Sequence, residues 1–156
     1  MKHSAGIVLF RIGESGLDVL LTHPTGHKRV QEDFGRWSIP KGEFTPGDEN
    51  ALDAAKREFF EEIGIVVPWD DSQFIDLGAV QQSPQKVVHA FAYQGSLDIS
   101  KVKCNTFNVE SPKGSGRYKE LPENDQTKWF PFAVAISKIN PGQLNLLMRL
   151  VKGIGK

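Results

Sequence analysis

One stretch of the chain decides the fold, and it reads Gly42-Glu-Phe-Thr-Pro-Gly-Asp-Glu-Asn-Ala-Leu-Asp-Ala-Ala-Lys-Arg-Glu-Phe-Phe-Glu-Glu-Ile-Gly64. Its first part is rich in glycine and turn formers and predicts a loop, whereas its second part predicts an amphipathic helix that stops at the last glycine. At about 100° per residue, Glu58, Glu61 and Glu62 share one helix face. An apolar stripe runs beside them, formed by Leu52, Ala55, Phe59 and Ile63. One helix is therefore expected to serve both the core and a site.

The acidic face of this helix indicates a metal site. Carboxylates at i, i+3 and i+4 repel one another by a few tenths of a kcal/mol per pair, so they need a compensating partner. Arg57 is one candidate, and a divalent cation is the stronger one. Carboxylate oxygens suit Mg²⁺ or Mn²⁺, and Mg²⁺ keeps positions open for water and phosphate oxygens. A three-glutamate face also occurs on ordinary solvated helices, but here the glycine loop and the helix stop accompany it in register.

The stretch resembles the box of the Nudix hydrolase family, which reads Gly, five residues, Glu, seven residues, then Arg-Glu-U-X-Glu-Glu-X-Gly-U, where U is a bulky aliphatic residue. Residues Arg57-Glu-Phe-Phe-Glu-Glu-Ile-Gly-Ile65 match the second half, with an aromatic side chain in one aliphatic position. The first half is one residue longer than the pattern. Both Asp48 and Glu49 therefore remain candidates for the family's structural role of orienting Arg57.

The resemblance implies roles for the box residues. Glu58, Glu61 and Glu62 would bind metal, together with a backbone carbonyl of Lys41 or Gly42. The metal would be Mg²⁺, with Mn²⁺ as an alternative, and the reaction would be hydrolysis of a phosphoanhydride. Arg57 would belong to the catalytic machinery through its contacts with the box carboxylates.

The general base has two candidate positions, Glu58 inside the box and a carboxylate outside it. The segment from Tyr118 to Trp129 resembles the region of dinucleoside polyphosphate hydrolases in which a glutamate precedes a tryptophan by six residues. This favours Glu123 as the base, with Glu120 and Asp125 as alternatives.

Substrate-binding candidates lie mainly near the box. Lys41 stands directly before the box glycine, where the resemblance implies a phosphate contact. Tyr118 or Trp37 could stack on a base, although a buried tryptophan is the commoner use. His89, within an apolar run, is interpreted as a core or sheet-face residue. Five further cations are candidates for the outer phosphates, although each is individually more typical of surface charge: Arg36, Lys86, Lys113, Arg117 and Lys119.

The remaining sequence alternates strand and helix patterns around the box. Strands are predicted over 4–10, 17–22, 65–67, 74–80, 86–93 and 128–130, and terminal helices over 131–139 and 142–151. Residues 24–35 and 111–117 are expected to be irregular, and residues 37–41 form a short extended approach to the box. The resemblance implies an α/β fold, a Nudix-type α/β/α sandwich with a mixed β-sheet between helices. A single domain over residues 1–156 is expected.

The composition of the whole chain restricts the classes of binding partner. Nineteen Lys+Arg balance nineteen Asp+Glu among 156 residues, so the charge provides no general field for nucleic acid. The apolar run before Arg11 is too short for a signal peptide or a membrane span, which indicates a cytoplasmic protein without membrane partners. Cys104 is the single cysteine, so no disulfide within the chain is expected. The expected partner is a small nucleotide, and the oligomeric state stays open.

Three regions together resemble diadenosine tetraphosphate hydrolases and a related group of bacterial predicted pyrophosphohydrolases. They are residues 5–11, residues 37–42, and the spacing of Glu123 and Trp129. The resemblance implies a dinucleoside polyphosphate as substrate. A nucleoside triphosphate pyrophosphatase is the main alternative, and a 5′-end RNA pyrophosphohydrolase is a third. A non-catalytic Nudix-fold module is the fourth, and the three retained glutamates argue against it.

Overall fold

The computed structural model describes residues 1–24, 33–122 and 124–155 of the chain. Its strands are β1 (Lys2–Gly13), β2 (Gly16–Pro24), β3 (Lys41–Phe44), β4 (Ile75–Ser83), β5 (Lys86–Gln94), β6 (Thr106–Glu110), β7 (Tyr118–Pro122) and β8 (Asn124–Pro131). Its α-helices are α1 (Ala51–Ile63), α2 (Phe132–Lys138) and α3 (Leu144–Ile154). Short 3₁₀ helices occupy Asp71–Gln73, Ile99–Lys101 and Pro141–Gln143.

The main sheet is mixed and is organised around β1. Its strand order is β4-β5-β1-β2-β8, and β3 pairs with the first part of β1. The β1–β5 pair is parallel, whereas β1 pairs antiparallel with both β2 and β3. Because β1 lies inside the sheet and core clusters lie on both faces of it, its side chains are buried on both sides, which explains its nearly continuous apolar run.

Helices cover both faces of this sheet. Alternate β1 residues point to opposite faces. Ile7 and Leu9 belong to the core cluster that contains Phe59 of α1, while Val8 and Phe10 belong to the cluster that contains the buried leucines of α3. The expected α/β/α sandwich with a mixed sheet is therefore confirmed. None of the described helices is long and apolar enough to cross a membrane.

The ends of α1 follow from local chemistry. The Asn50 side chain accepts a hydrogen bond from the Asp53 backbone N–H at 2.8 Å, which caps the first turn. Gly64 ends the helix in the left-handed conformation at φ 73°, and its N–H donates to the Phe60 carbonyl. The predicted apolar stripe is buried at Phe59 and Ile63, and each such side chain contributes about 1.5–3 kcal/mol. The helix is thus fixed at both ends and along one face.

The structure corrects several predicted boundaries. The loop expected to begin at Gly42 starts instead with β3, because Lys41–Phe44 pairs with β1. The strand predicted at 65–67 is wrong, since these residues pack partly against the α1 core cluster without strand pairing. The predicted strand at 128–130 is longer and begins at Asn124. The β6–β7 hairpin was not predicted, while the predicted hairpin of β1 and β2 is confirmed.

Candidate active site

The acidic face of α1 is organised around a single guanidinium. The Nη1 atom of Arg57 lies 2.7 Å from Glu58 Oε1 and 3.4 Å from Glu61 Oε1, and its Nη2 atom lies 2.5 Å from Glu49 Oε1. Hydrogen bonding to Glu49 is the largest cause that holds the pKa of Arg57 above its ordinary value. Arg57 therefore stays charged and partly offsets the repulsion between the helix carboxylates.

The contact with Glu49 decides between the two acidic residues that the sequence left open. Both oxygens of Glu49 receive donors from Arg57, at 3.3 Å to Nε and 2.5 Å to Nη2. Asp48 instead lies in the turn before α1, where its backbone N–H donates to the Thr45 carbonyl. Glu49, the residue at the acidic position of the family pattern when it is counted back from Arg57, is therefore the one that orients Arg57.

Glu58 is more enclosed than Glu61, whose side chain is 36% exposed. The Glu58 side chain is 12% exposed. Burial is the main cause that raises the pKa of Glu58 to about 7, and the nearby charge of Glu61 adds to it, while Arg57 opposes the rise. A Cβ atom at Gly42 would lie 1.8 Å from Glu58 Oε2, so only glycine leaves room for this carboxylate.

Glu62 links the helix to the strand that precedes it. Its Oε2 atom accepts a hydrogen bond from the Lys41 backbone N–H at 3.1 Å. The Lys41–Gly42 segment is held in turn by pairing with Gly6 and Ala5 of β1. The β3 backbone is thus fixed beside the carboxylates of α1, as the predicted carbonyl ligand at Lys41 or Gly42 requires.

The donor set fits a hard divalent cation, because it consists of carboxylates and nearby backbone carbonyls. No group of three or more His, Cys, Asp or Glu side chains converges as a metal cluster within the described part of the chain. The guanidinium of Arg57 contacts both Glu58 and Glu61 through its Nη1 atom. The negative charge of Glu58 and Glu61, which a cation would neutralise, is partly neutralised by Arg57.

A polar cleft of about 360 Å³ opens next to this face. Glu62 lines it together with three cations, Arg36, Lys41 and Lys86. The pKa of Lys41 lies below its ordinary value because the side chain is buried and because the charge of Lys86 is close, although Glu62 opposes the fall. Two ammonium groups held near each other are stabilised by an anion, so the cleft is suited to phosphate.

Other predicted residues lie elsewhere. Glu123 and the side chain of Asp125 lie outside the described part of the structure. Glu120 is on β7, where its carboxylate accepts a hydrogen bond from Thr106 Oγ1 at 2.5 Å. Tyr118 is 68% exposed on the β6–β7 hairpin and does not line the cleft. Trp37 is buried, and its Nε1–H donates to Asp33 at 2.7 Å, so its ring is part of the core.

His89 lies on the α1 side of β5, as the sheet-face interpretation predicted. Its ring stacks on Phe91 at 4.6 Å, and its Nε2 atom lies 2.7 Å from Asp76 Oδ1. It is not among the residues that line the cleft.

Several cleft residues were missed by sequence reasoning: Ser38, Gln82, Asn140 and Gln143. They come from three separate segments, and none carries a charge. The only local signal is the Asn140-Pro141-Gly142 turn, which predicts a chain reversal but not its position against β4. Tertiary packing alone brings these amides together.

Comparison with known proteins is consistent with this geometry. A family model described as NUDIX domain matches residues 1–150. A protein of Enterobacteria phage T4, described as an uncharacterized 17.7 kDa protein in the e-segB intergenic region, is 34% identical over 90 residues. That match covers 58% of this chain and 57% of the phage protein, so the chain spans little more than half of that relative.

Solved structures of the same fold cover nearly the whole chain. A C. elegans Ap4A hydrolase in a binary complex has a TM-score of 0.61 at 20% identity, covering 99% of this chain and 98% of that one. The NUDIX domain of Shewanella oneidensis NrtR complexed with ADP ribose has a TM-score of 0.64 at 18% identity, covering 97% and 87%. A MutT protein from Methanosarcina mazei Go1 has a TM-score of 0.59 at 20% identity, covering 99% and 96%. At these identities the likeness concerns the fold.

Proposed function

We propose that this chain, which belongs to the NUDIX domain family, is a Nudix pyrophosphohydrolase that hydrolyses a phosphoanhydride of a nucleoside diphosphate linked to another group. The proposed substrate is a dinucleoside polyphosphate such as diadenosine tetraphosphate, and the proposed cofactor is Mg²⁺, with Mn²⁺ as a substitute. The proposed location is the cytoplasm.

One observation carries this proposal: the carboxylate face of α1 and the cationic cleft meet at Glu62. This residue stands on the helix that bears Glu58 and Glu61, and it also lines the cleft that contains Lys41 and Lys86. A cation at the carboxylates and a phosphate chain at the lysines would therefore be neighbours. A diphosphate needs that arrangement, because its negative charge must be neutralised on both sides of the bond that breaks.

The box residues have different roles in the proposed reaction. Glu58, Glu61 and Glu62 would hold Mg²⁺, which supplies charge neutralisation and lowers the pKa of a bound water. Arg57, fixed by Glu49, orients Glu58 and Glu61. A carboxylate then accepts the proton of the attacking water, and we assign this role to Glu123, with Glu58 as the alternative.

The cleft residues would hold the phosphate chain. Lys41 lies beside the carboxylates and is the candidate for the phosphate nearest the broken bond, whereas Lys86 and Arg36 lie along the same cleft. Tyr118 stands on the exposed β6–β7 hairpin. In this proposal it contacts the second, outer nucleoside of a dinucleoside substrate, which extends beyond the cleft.

A substrate panel tests the proposal. The protein is incubated with Mg²⁺ and dinucleoside polyphosphates, nucleoside triphosphates, nucleotide sugars or triphosphorylated RNA, and the products are separated by chromatography. We expect the highest kcat/KM for the dinucleoside polyphosphates and no turnover in EDTA. Faster release of pyrophosphate from nucleoside triphosphates would replace the substrate assignment, and no turnover of any member would favour a binding module.

A further inference from the structure

Gln143 is a wholly buried polar side chain to which the proposed reaction gives no role. It ends the short 3₁₀ helix before α3, and its Oε1 atom accepts a hydrogen bond from the Ile39 backbone N–H at 3.1 Å. Its Nε2 atom donates to Ser38 Oγ and to Gln82 Oε1, each at 3.0 Å. Both amide protons and the carbonyl oxygen therefore have partners inside the protein, so this amide is built to hold other groups in place.

The hydrogen bond to Ile39 lies between two stretches of backbone that are fixed in other ways. Before it, the N–H and the carbonyl of Ser38 both pair with Thr22, each at 2.8 Å. After it, the Pro40 carbonyl accepts a hydrogen bond from the Ile7 N–H at 3.1 Å. The N–H of the wholly buried Ile39 has the glutamine side chain as its partner instead. Because an unpaired N–H is unfavourable there, the position of this peptide group follows that of the side chain.

Lys41 lies two residues after this hydrogen bond and lines the cleft. Its backbone N–H donates to Glu62 Oε2 at 3.1 Å. The segment has no slack on the side of β1, because a Cβ atom at Gly6 would lie 2.6 Å from the Pro40 carbonyl oxygen and 2.7 Å from Lys41 Cβ. A shift at Ile39 cannot be absorbed there, so it is passed along the backbone to Lys41.

We propose that Gln143 is a positioning residue, which fixes through the Ile39 N–H the backbone from which Lys41 reaches the phosphate chain. This inference rests on the proposed function, which assigns Lys41 to the phosphate nearest the broken bond. Gln143 itself makes no contact with the substrate. Its amide joins the turn before α3 to the segment before β3, so two parts of the chain that are far apart in sequence hold one wall of the cleft.

A double-mutant cycle of Gln143 and Lys41 tests the proposal. Gln143→Met keeps a side chain of similar length and removes its hydrogen-bonding atoms. We expect it to lower kcat/KM for the best substrate of the panel by about 10- to 100-fold, because a misplacement of about 1 Å near a reacting centre can cost about 100-fold. In a Lys41→Met background the same change should have less than about a threefold effect, since the group that it positions is already absent.

Leu150→Ala separates positioning from loss of stability. Leu150 is a wholly buried apolar residue of α3, and its truncation leaves a cavity but removes no hydrogen bond. All variants are assayed at a temperature at which circular dichroism shows them folded. Leu150→Ala should change kcat/KM by the same factor with and without Lys41. A Gln143→Met effect that is equally large in both backgrounds, or a wild-type kcat/KM in Gln143→Met, overturns the proposal.

If no panel member is hydrolysed, the proposed function fails, and the same cycle is measured on binding of imidodiphosphate by calorimetry in EDTA. The affinity should then fall by about tenfold on Gln143→Met and stay unchanged when Lys41 is already methionine. An equal fall in both backgrounds, or no binding by the wild type, overturns the inference.

Ser38→Ala replaces Gln143→Met in the cycle if the latter does not fold. It removes the hydroxyl that accepts from Gln143 and donates to the Ile39 carbonyl at 2.7 Å. Its effect should depend on Lys41 in the same way, and an effect that is independent of Lys41 overturns the inference.

Discussion

Replacing Gly42 by alanine should remove most of the activity without unfolding the protein. The new Cβ would lie 1.8 Å from Glu58 Oε2 and 2.1 Å from its Cδ, while ordinary contacts begin near 3.4 Å. The Glu58 carboxylate must therefore move by about 1.5 Å, and a misplacement of about 1 Å at a reacting centre can cost about 100-fold in rate. Glycine within a strand is itself less stable than alanine by about 0.5–1 kcal/mol, which offsets the steric cost.

The assay is kcat/KM for the best substrate of the panel at saturating Mg²⁺, together with the free energy of unfolding in urea. Gly13→Ala is the matched control, because Gly13 also lies in a strand and its Cβ would meet nothing within 4 Å. We expect a fall of about 100-fold in kcat/KM for Gly42→Ala and little change for the control. Activity within a few-fold of wild type in Gly42→Ala would refute the argument that Glu58 must occupy this space.

Three further predictions concern the same helix. Glu49→Gln should lower kcat by about tenfold or more, because one charged contact to the box arginine is lost, whereas Asp48→Asn should not; equal effects would contradict the assignment of the brace. Gly64→Ala should cost at least about 1 kcal/mol more than Gly114→Ala in urea unfolding, since both have positive φ but only the first Cβ would meet backbone, at 2.1 Å. Burial raises the pKa of Glu58 from 4.5 to about 7, so the ionised carboxylate destabilises the folded protein. Without metal, the free energy of unfolding of Glu58→Gln should exceed that of the wild type by up to about 3 kcal/mol above pH 7. This difference should disappear as the pH falls towards 4.5 and Glu58 becomes protonated. A constant difference across that range would show that Glu58 titrates normally.

The sequence was sufficient for the box helix because its determinants are local. The buried stripe with Phe59 and the stop at Gly64 were predicted, both act within a few residues, and both are present in the structure, which adds the cap at Asn50. The shared face of the carboxylates follows from helical pitch alone. The fold class followed from the same stretch, through the family that it resembles.

Other features depend on distant residues and could not be predicted. β3 is a strand only because β1 pairs with it, and its four residues carry no strand pattern of their own. The β6–β7 hairpin is polar and largely exposed, so hydrophobic periodicity gives no signal for it. The choice between Asp48 and Glu49 depends on the loop conformation, and the amides of the cleft are brought together by the packing of the turn at Gly142 against β4.

The central claim is that the carboxylate face of α1 holds the metal that drives phosphoanhydride hydrolysis. The most direct test measures Mg²⁺-dependent turnover of a dinucleoside tetraphosphate by wild type, by Glu62→Gln, and by Glu14→Gln as a control at an exposed turn. We expect Glu62→Gln to abolish turnover, EDTA to abolish it in wild type, and the control to behave as wild type. Undiminished turnover by Glu62→Gln, or turnover that persists in EDTA, would contradict the account.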